Sequence, residues 1–112
     1  MKDKKQVRKN FRNSVLSRDK CTCKMCGKKG KDRQGGDLWK EFHKSPLNLV
    51  DLDAHHIIER NNDNYILDNG ITVCDDCHLK AEKFHMTNGK EWVNGFHPNE
   101  LFEKINSKIR IQ

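Results

Sequence analysis

Two Cys-x-x-Cys pairs, Cys23-Lys24-Met25-Cys26 and Cys74-Asp75-Asp76-Cys77, constrain this chain more than any other feature. Free buried thiols have no reason to recur at that paired spacing. Four thiolates suit a tetrahedral zinc ion, and all-thiolate sets are common in structural sites. The pairs stand far apart in the sequence, so one ion would tie distant parts of the chain together. Gly27, directly after the first pair, permits the tight turn that follows a second ligand. Cys21 is left over and reads as a small buried apolar residue.

A staple matters because the chain is short and polar. Of its 112 residues 34% are apolar and 34% charged, with a mean hydropathy of -0.98. That length allows one domain, residues 1–112, with little core to bury. Disulfides are the other staple a small chain can use. An odd count of five cysteines, four of them in Cys-x-x-Cys pairs, argues for metal instead. The start, Met1-Lys2-Asp3-Lys4-Lys5, is no signal peptide, so a reduced, cytoplasmic setting is expected. No stretch reaches the length of a membrane span. The formal net charge is +6, and the basic residues cluster in the first third of the chain. Arg8, Arg12, Arg18, Lys28 and Lys29 are the candidate phosphate contacts, the alternative being a solvated basic surface.

Periodicity gives the coarse shape. Val7, Phe11, Val15 and Leu16 recur at helical spacing and predict a basic helix over residues 3–19. The charged, glycine-rich stretch 28–36 reads as a loop, and lone His43 beyond it as a structural histidine. Residues 49–58 alternate as a strand does, with Leu52, Ile57 and Ile58 inward. A turn rich in Asn and Asp follows. Gly70-Ile71-Thr72-Val73 is a second strand, and a helix capped by Asp75 or Asp76 should run to about Phe84. Pro98 opens a last helix over 98–110, with Leu101, Phe102, Ile105 and Ile109 as its apolar face. The fold class is α+β: a zinc-stapled strand–strand–helix core over 20–85 with flanking helices.

His55, His56 and His78 are the remaining candidates for a catalytic site. His55 and His56 are neighbours on a strand and point to opposite faces, so they cannot readily bind one ion together. One can ligate a metal beside His78 while the other acts on the far side of a scissile group. Three features carry a resemblance: Asp53-Ala54-His55-His56-Ile57-Ile58; Asp68-Asn69-Gly70-Ile71-Thr72-Val73 running into Cys74-x-x-Cys77-His78; and Arg18-Asp19 ahead of Cys23-x-x-Cys26-Gly27. In these the sequence resembles the HNH endonuclease family, whose active site is the ββα-metal motif. The resemblance implies that His56 is the general base, that His55 and His78 bind the catalytic metal, and that Asn69 steadies the loop and orients the base. It implies DNA as the partner and products with 5′-phosphate and 3′-hydroxyl ends, as made by phage, intron-associated or restriction nucleases in bacterial or phage-infected cells. Many relatives carry Asp where this chain has His55. Two imidazoles suit Mn, Co, Ni or Zn better than Mg, so one of these ions is expected to support activity as well as Mg does. Many relatives also carry Pro at the position of Glu59. Arg60 is a further candidate phosphate contact, the alternative being a solvated surface arginine, and His85, two helical turns after His78, a candidate extra ligand or phosphate contact.

The bottom-up chemistry agrees. Phosphodiester hydrolysis needs an activated water in line with a leaving oxygen whose charge is neutralised, and an imidazole with a pKa near ~6.5 can take that water's proton. The competing reading is a zinc-stabilised module that binds nucleic acid without cutting it, which would have no use for His56. Zinc deaminases are set aside because H-x-E and P-C-x-x-C are absent, and zincin proteases because H-E-x-x-H is absent. A single site in a small domain nicks one strand unless it dimerises or works with a partner protein.

Overall fold

The computed structural model describes residues 3–59 and 64–111. Asp3 caps the first helix, α1 (Lys4–Arg18), by accepting from Gln6 N, and Phe11, Val15 and Leu16 form its buried stripe. The sheet has three strands in the order β1 (Gly30–Asp32), β2 (Val50–His56), β3 (Gly70–Cys74). β1 runs parallel to β2 with Gly30 beside Val50, and β3 runs antiparallel with Ile71 opposite His55 and Gly70 opposite His56. Helix α2 (Asp75–Met86) follows β3 directly, and α3 (Pro98–Lys104) closes the core.

Strand alternation assigns each helix a face. Gly70 and Thr72 of β3 look toward α1: a Cβ on Gly70 would come within 2.7 Å of Phe11 Cζ, and Thr72 Oγ1 bonds Val15 O at 3.3 Å. Ile71 and Val73 look the other way and join Ala81, Leu101 and Phe102 in the core. Burying each of these large side chains contributes about 1.5–3 kcal/mol. The carboxylate of Asp19 ties the end of α1 to the sheet. It is buried and accepts from Thr72 N at 3.0 Å and from both Nε and Nη2 of Arg18. Arg18 also donates to the carbonyls of Leu67 and Gly70 at 2.8 and 2.6 Å. A buried carboxylate is tolerable only when paired in this way.

Four expectations need correction. The stretch 28–36 contains β1, which its polar sequence hides; the strand exists because Gly30 lets the chain lie close against Val50 and Leu52 of β2. The last helix ends at Lys104 rather than near 110, because Asn106 turns left-handed at φ 58° and the following segment is held back by Asn99, which bonds both N and O of Ile111. Helix α2 starts after Cys74, whose side chain makes no cap bond; Asp75 and Asp76 lie in its first turn, where carboxylates favour the helix dipole. Strand β2 ends at His56, so Ile57, although buried, lies just beyond it.

Candidate active site

The two cysteine pairs meet at the end of the sheet. Cys23 and Cys26 sit on a turn pinned to β3 by Lys24 N donating to Thr72 O at 2.9 Å, with Gly27 left-handed at φ 81°. Cys74 ends β3 and Cys77 lies in the first turn of α2. The four sulfurs lie within 4.8 Å of one another, and those of Cys26 and Cys74 are 3.6 Å apart. Burial raises the Cys23 thiol, but backbone N–H groups of Cys26, Cys74 and Met25 outweigh it and bring it down to about 7. Burial pushes Cys77 well up. Four soft donors gathered in this way could hold zinc. Cys21, fully buried, does not join them, and burial pushes its thiol up to about 11. His43 bonds Cys21 O through Nε2 at 2.8 Å.

A second cluster lies between β2 and α2. Asp53 and His55 project from the α2 face of β2, and His78 and Glu82 come from successive turns of α2. Ligand atoms of His55, His78 and Glu82 lie within 4.8 Å of one another. Glu82 Oε1 is 3.1 Å from His78 Nε2 and 3.2 Å from His55 Nδ1, the latter without hydrogen-bond alignment. His55 is 2% exposed, and its Nε2 has no hydrogen-bond partner among the described residues. Burial lowers the His55 pKa and favours the neutral ring, the form that ligates. Asp53, whose Oδ2 lies 3.7 Å from His78 Nδ1, and then Glu82 raise His78 to about 9. Glu82 is held below the usual carboxylate range by His55 and His78, and Asp53 by His78, Arg12 and Arg33. A buried neutral imidazole with an unpartnered nitrogen, a second imidazole and an ionised carboxylate make a donor set that fits a divalent cation, which would take the place of the His78 proton.

His56 points to the other face of β2. Its ring stacks on Phe11 at 4.2 Å and 18°, and meets the edge of Tyr65 at 4.7 Å. The turn that follows is clamped by Asn69, 1% exposed, whose Oδ1 accepts from Ile58 N at 2.8 Å and whose Nδ2 donates to the carbonyls of Ile58 and Asn64. His85 donates from Nε2 to His56 O at 3.2 Å and lies 5.5 Å, ring to ring, from His55.

A family model for HNH endonucleases matches residues 23–84, more than half of the chain. The chain belongs to the HNH endonuclease family. No curated protein and no solved structure shows a significant match. HNH proteins are nucleases, and the matched stretch contains both clusters and the Asn69 turn.

Within this HNH core a cavity of about 370 Å³ is lined by Arg12, Asp53, His55, His56, His78, Glu82 and His85 among others. A larger one of about 1110 Å³ runs along α1, and the two share Arg12, Ala54 and His56. Arg8 and Arg12 therefore line cavities. Arg12 is also tied to Asp32 at 2.6 Å and Asp53 at 2.7 Å. Lys28 and Lys29 are exposed beside the cysteine turn and line neither cavity. Arg18 lines neither cavity, and its partly exposed guanidinium is tied to Asp19 and two backbone carbonyls. Arg60 lies outside the described residues. Two residues of the cluster were missed as site residues in the sequence, Asp53 and Glu82. The signal for Glu82 was its i,i+4 spacing from His78, which stacks the two on one helix face. Among the described residues no helix is long and apolar enough to cross a membrane.

Proposed function

We propose that this HNH protein is a divalent-metal-dependent DNA endonuclease or nickase that leaves 5′-phosphate and 3′-hydroxyl ends. The observation that carries the reading is the division of one strand: His55 faces His78 and Glu82 on one side of β2, His56 faces away from them, and all four rim one cavity. His55, His78 and Glu82 would hold the cation, which when bound neutralises charge on the departing 3′ oxygen. His56 accepts the proton of the attacking water, its ring plane set by the stack on Phe11. Asn69 orients that base indirectly by fixing the backbone at Ile58. His85 steadies the carbonyl of His56, and Arg8, Lys28 and Lys29 supply phosphate contacts outside the reacting centre. The four cysteines hold a separate, structural zinc ion.

Supercoiled plasmid incubated with the zinc-loaded protein and Mg, Mn, Co, Ni or Zn in turn is the test. The expected result is nicking, supported by at least one transition ion as well as by Mg, with mapped 5′-phosphate ends. His56→Ala should lower the rate by about 10²–10⁴-fold, the usual contribution of a general base. A plasmid left intact by the wild-type protein under every metal would leave only a nucleic-acid-binding zinc module. Linear product that depends on the square of protein concentration would point to two copies acting together.

A further inference from the structure

The larger cavity has walls of opposite sign. Lys5, Arg8 and Lys9, all exposed on α1, form one; Asp37 and Glu41, on the segment after β1, form the other, and Lys40 offsets part of that charge by pairing with Asp37 at 3.3 Å. Tyr65 is half-buried at the cavity, its ring edge-on to both Phe11 and His56. A duplex carries a phosphate backbone on each side. Seated here, one backbone would meet the cationic wall and the other would face Asp37 and Glu41. A single strand has its phosphates along one edge and its bases along the other, which matches a cleft with one cationic and one anionic wall. Carboxylates accept hydrogen bonds from the exocyclic amino groups of bases, and an aromatic ring in a basic groove is a stacking platform.

We propose that this groove seats a single-stranded segment of nucleic acid, with its backbone along α1 and its bases toward Tyr65 and the Asp37–Glu41 wall. The assignment rests on the nuclease reading, because the groove meets the metal-side cavity at Arg12, Ala54 and His56, so a strand lying in it passes the proposed base. It narrows the substrate class to DNA that carries an unpaired stretch at the cut.

Fluorescence anisotropy of the zinc-loaded protein, without any other divalent ion, tests this with a labelled oligodeoxynucleotide and the same strand annealed to its complement. The single strand should bind at least about tenfold more tightly. Lys5→Glu/Lys9→Glu should reduce the slope of log K against log salt by about 1.4, given ~0.7 per phosphate contact on a single strand. Glutamate is a good helix former and Lys5 lies in the first turn, so α1 should keep its helicity in circular dichroism; Lys5→Gln/Lys9→Gln, expected to give the same slope change, serves if it does not. Tyr65→Ala should weaken single-strand binding about tenfold. Lys90→Glu/Lys108→Glu makes the same charge change outside both cavities and should leave affinity within about twofold. Duplex bound as tightly as single strand, or equal losses from both charge-reversal pairs, overturns the groove assignment. Because binding needs no turnover, selective binding beside an inert plasmid overturns the nuclease reading alone.

Discussion

Glu82 and Asp53 decide how the metal-side cluster behaves. Glu82 touches both imidazoles, while Asp53 touches only His78 and is itself held by Arg12 and Arg33. Glu82→Gln should abolish most of the affinity for Mn. Asp53→Asn, which removes an outer partner of a ligand, should cost about 10–100-fold, both read by calorimetric titration. The pH dependence has a definite sign. With His78 raised to about 9, its ring is protonated at neutral pH and must lose that proton to ligate. Affinity for Mn should therefore rise by about tenfold per pH unit up to pH ~9 and level off above it. A flat profile from pH 7 to 9 would mean that His78 does not ligate. At this scale the sequence was legible where rare residue types pair up: adjacent histidines and Cys-x-x-Cys stand out, whereas Asn69, one of eleven asparagines, was singled out by the family resemblance alone. Glu82 did not stand out, because a glutamate on a helix surface is ordinary until the strand opposite it is known. The tie between Arg18 and Asp19 was hidden for the converse reason, since a basic residue in a basic stretch gives no sign of a buried carboxylate partner.

Helix α1 and strand β3 meet at a glycine, and that contact reaches His56. Gly70 lies opposite His56 across the antiparallel pair, and Phe11 fills the space above both. Gly70→Ala should push Phe11 and Val15 outward, costing about 1–3 kcal/mol and lowering Tm by several degrees. Nicking should fall further than the folded fraction does, because the displaced ring is the one stacked on the proposed base. A loss of activity that only tracks the unfolded fraction would show that the stack does nothing for the base. The elements read from the sequence were those with strong local signals, α1 by its buried stripe and β3 by its run of β-branched residues. Strand β1 carries no such signal: Gly-Lys-Asp becomes a strand through its partner. The end of α3 depends on Asn106 and on the tail bonded to Asn99, contacts that helical periodicity does not contain.

On the proposed zinc reading, the cysteine cluster holds the whole molecule as much as its core does. Small domains of this kind are stable by only about 5–15 kcal/mol, and structural zinc sites in finger peptides contribute about 10–16 kcal/mol at neutral pH. Removing zinc should therefore unfold the domain outright. A strong chelator, or Cys74→Ser, is expected to abolish cooperative thermal unfolding and most of the helical circular dichroism signal, with one zinc per chain lost by atomic absorption. Retention of a sharp transition without zinc would place the stability in the apolar core instead.

Cys77 and His78 are consecutive residues in the first turn of α2, so the group that would anchor the staple and the group that would grip the second cation move as one. On the proposed reading, a newly synthesised copy that has not yet filled its cysteine site would have no means of assembling its cutting centre. On that reading the hazard of an idle nuclease is tied to the filling of a site that lies outside the cutting centre.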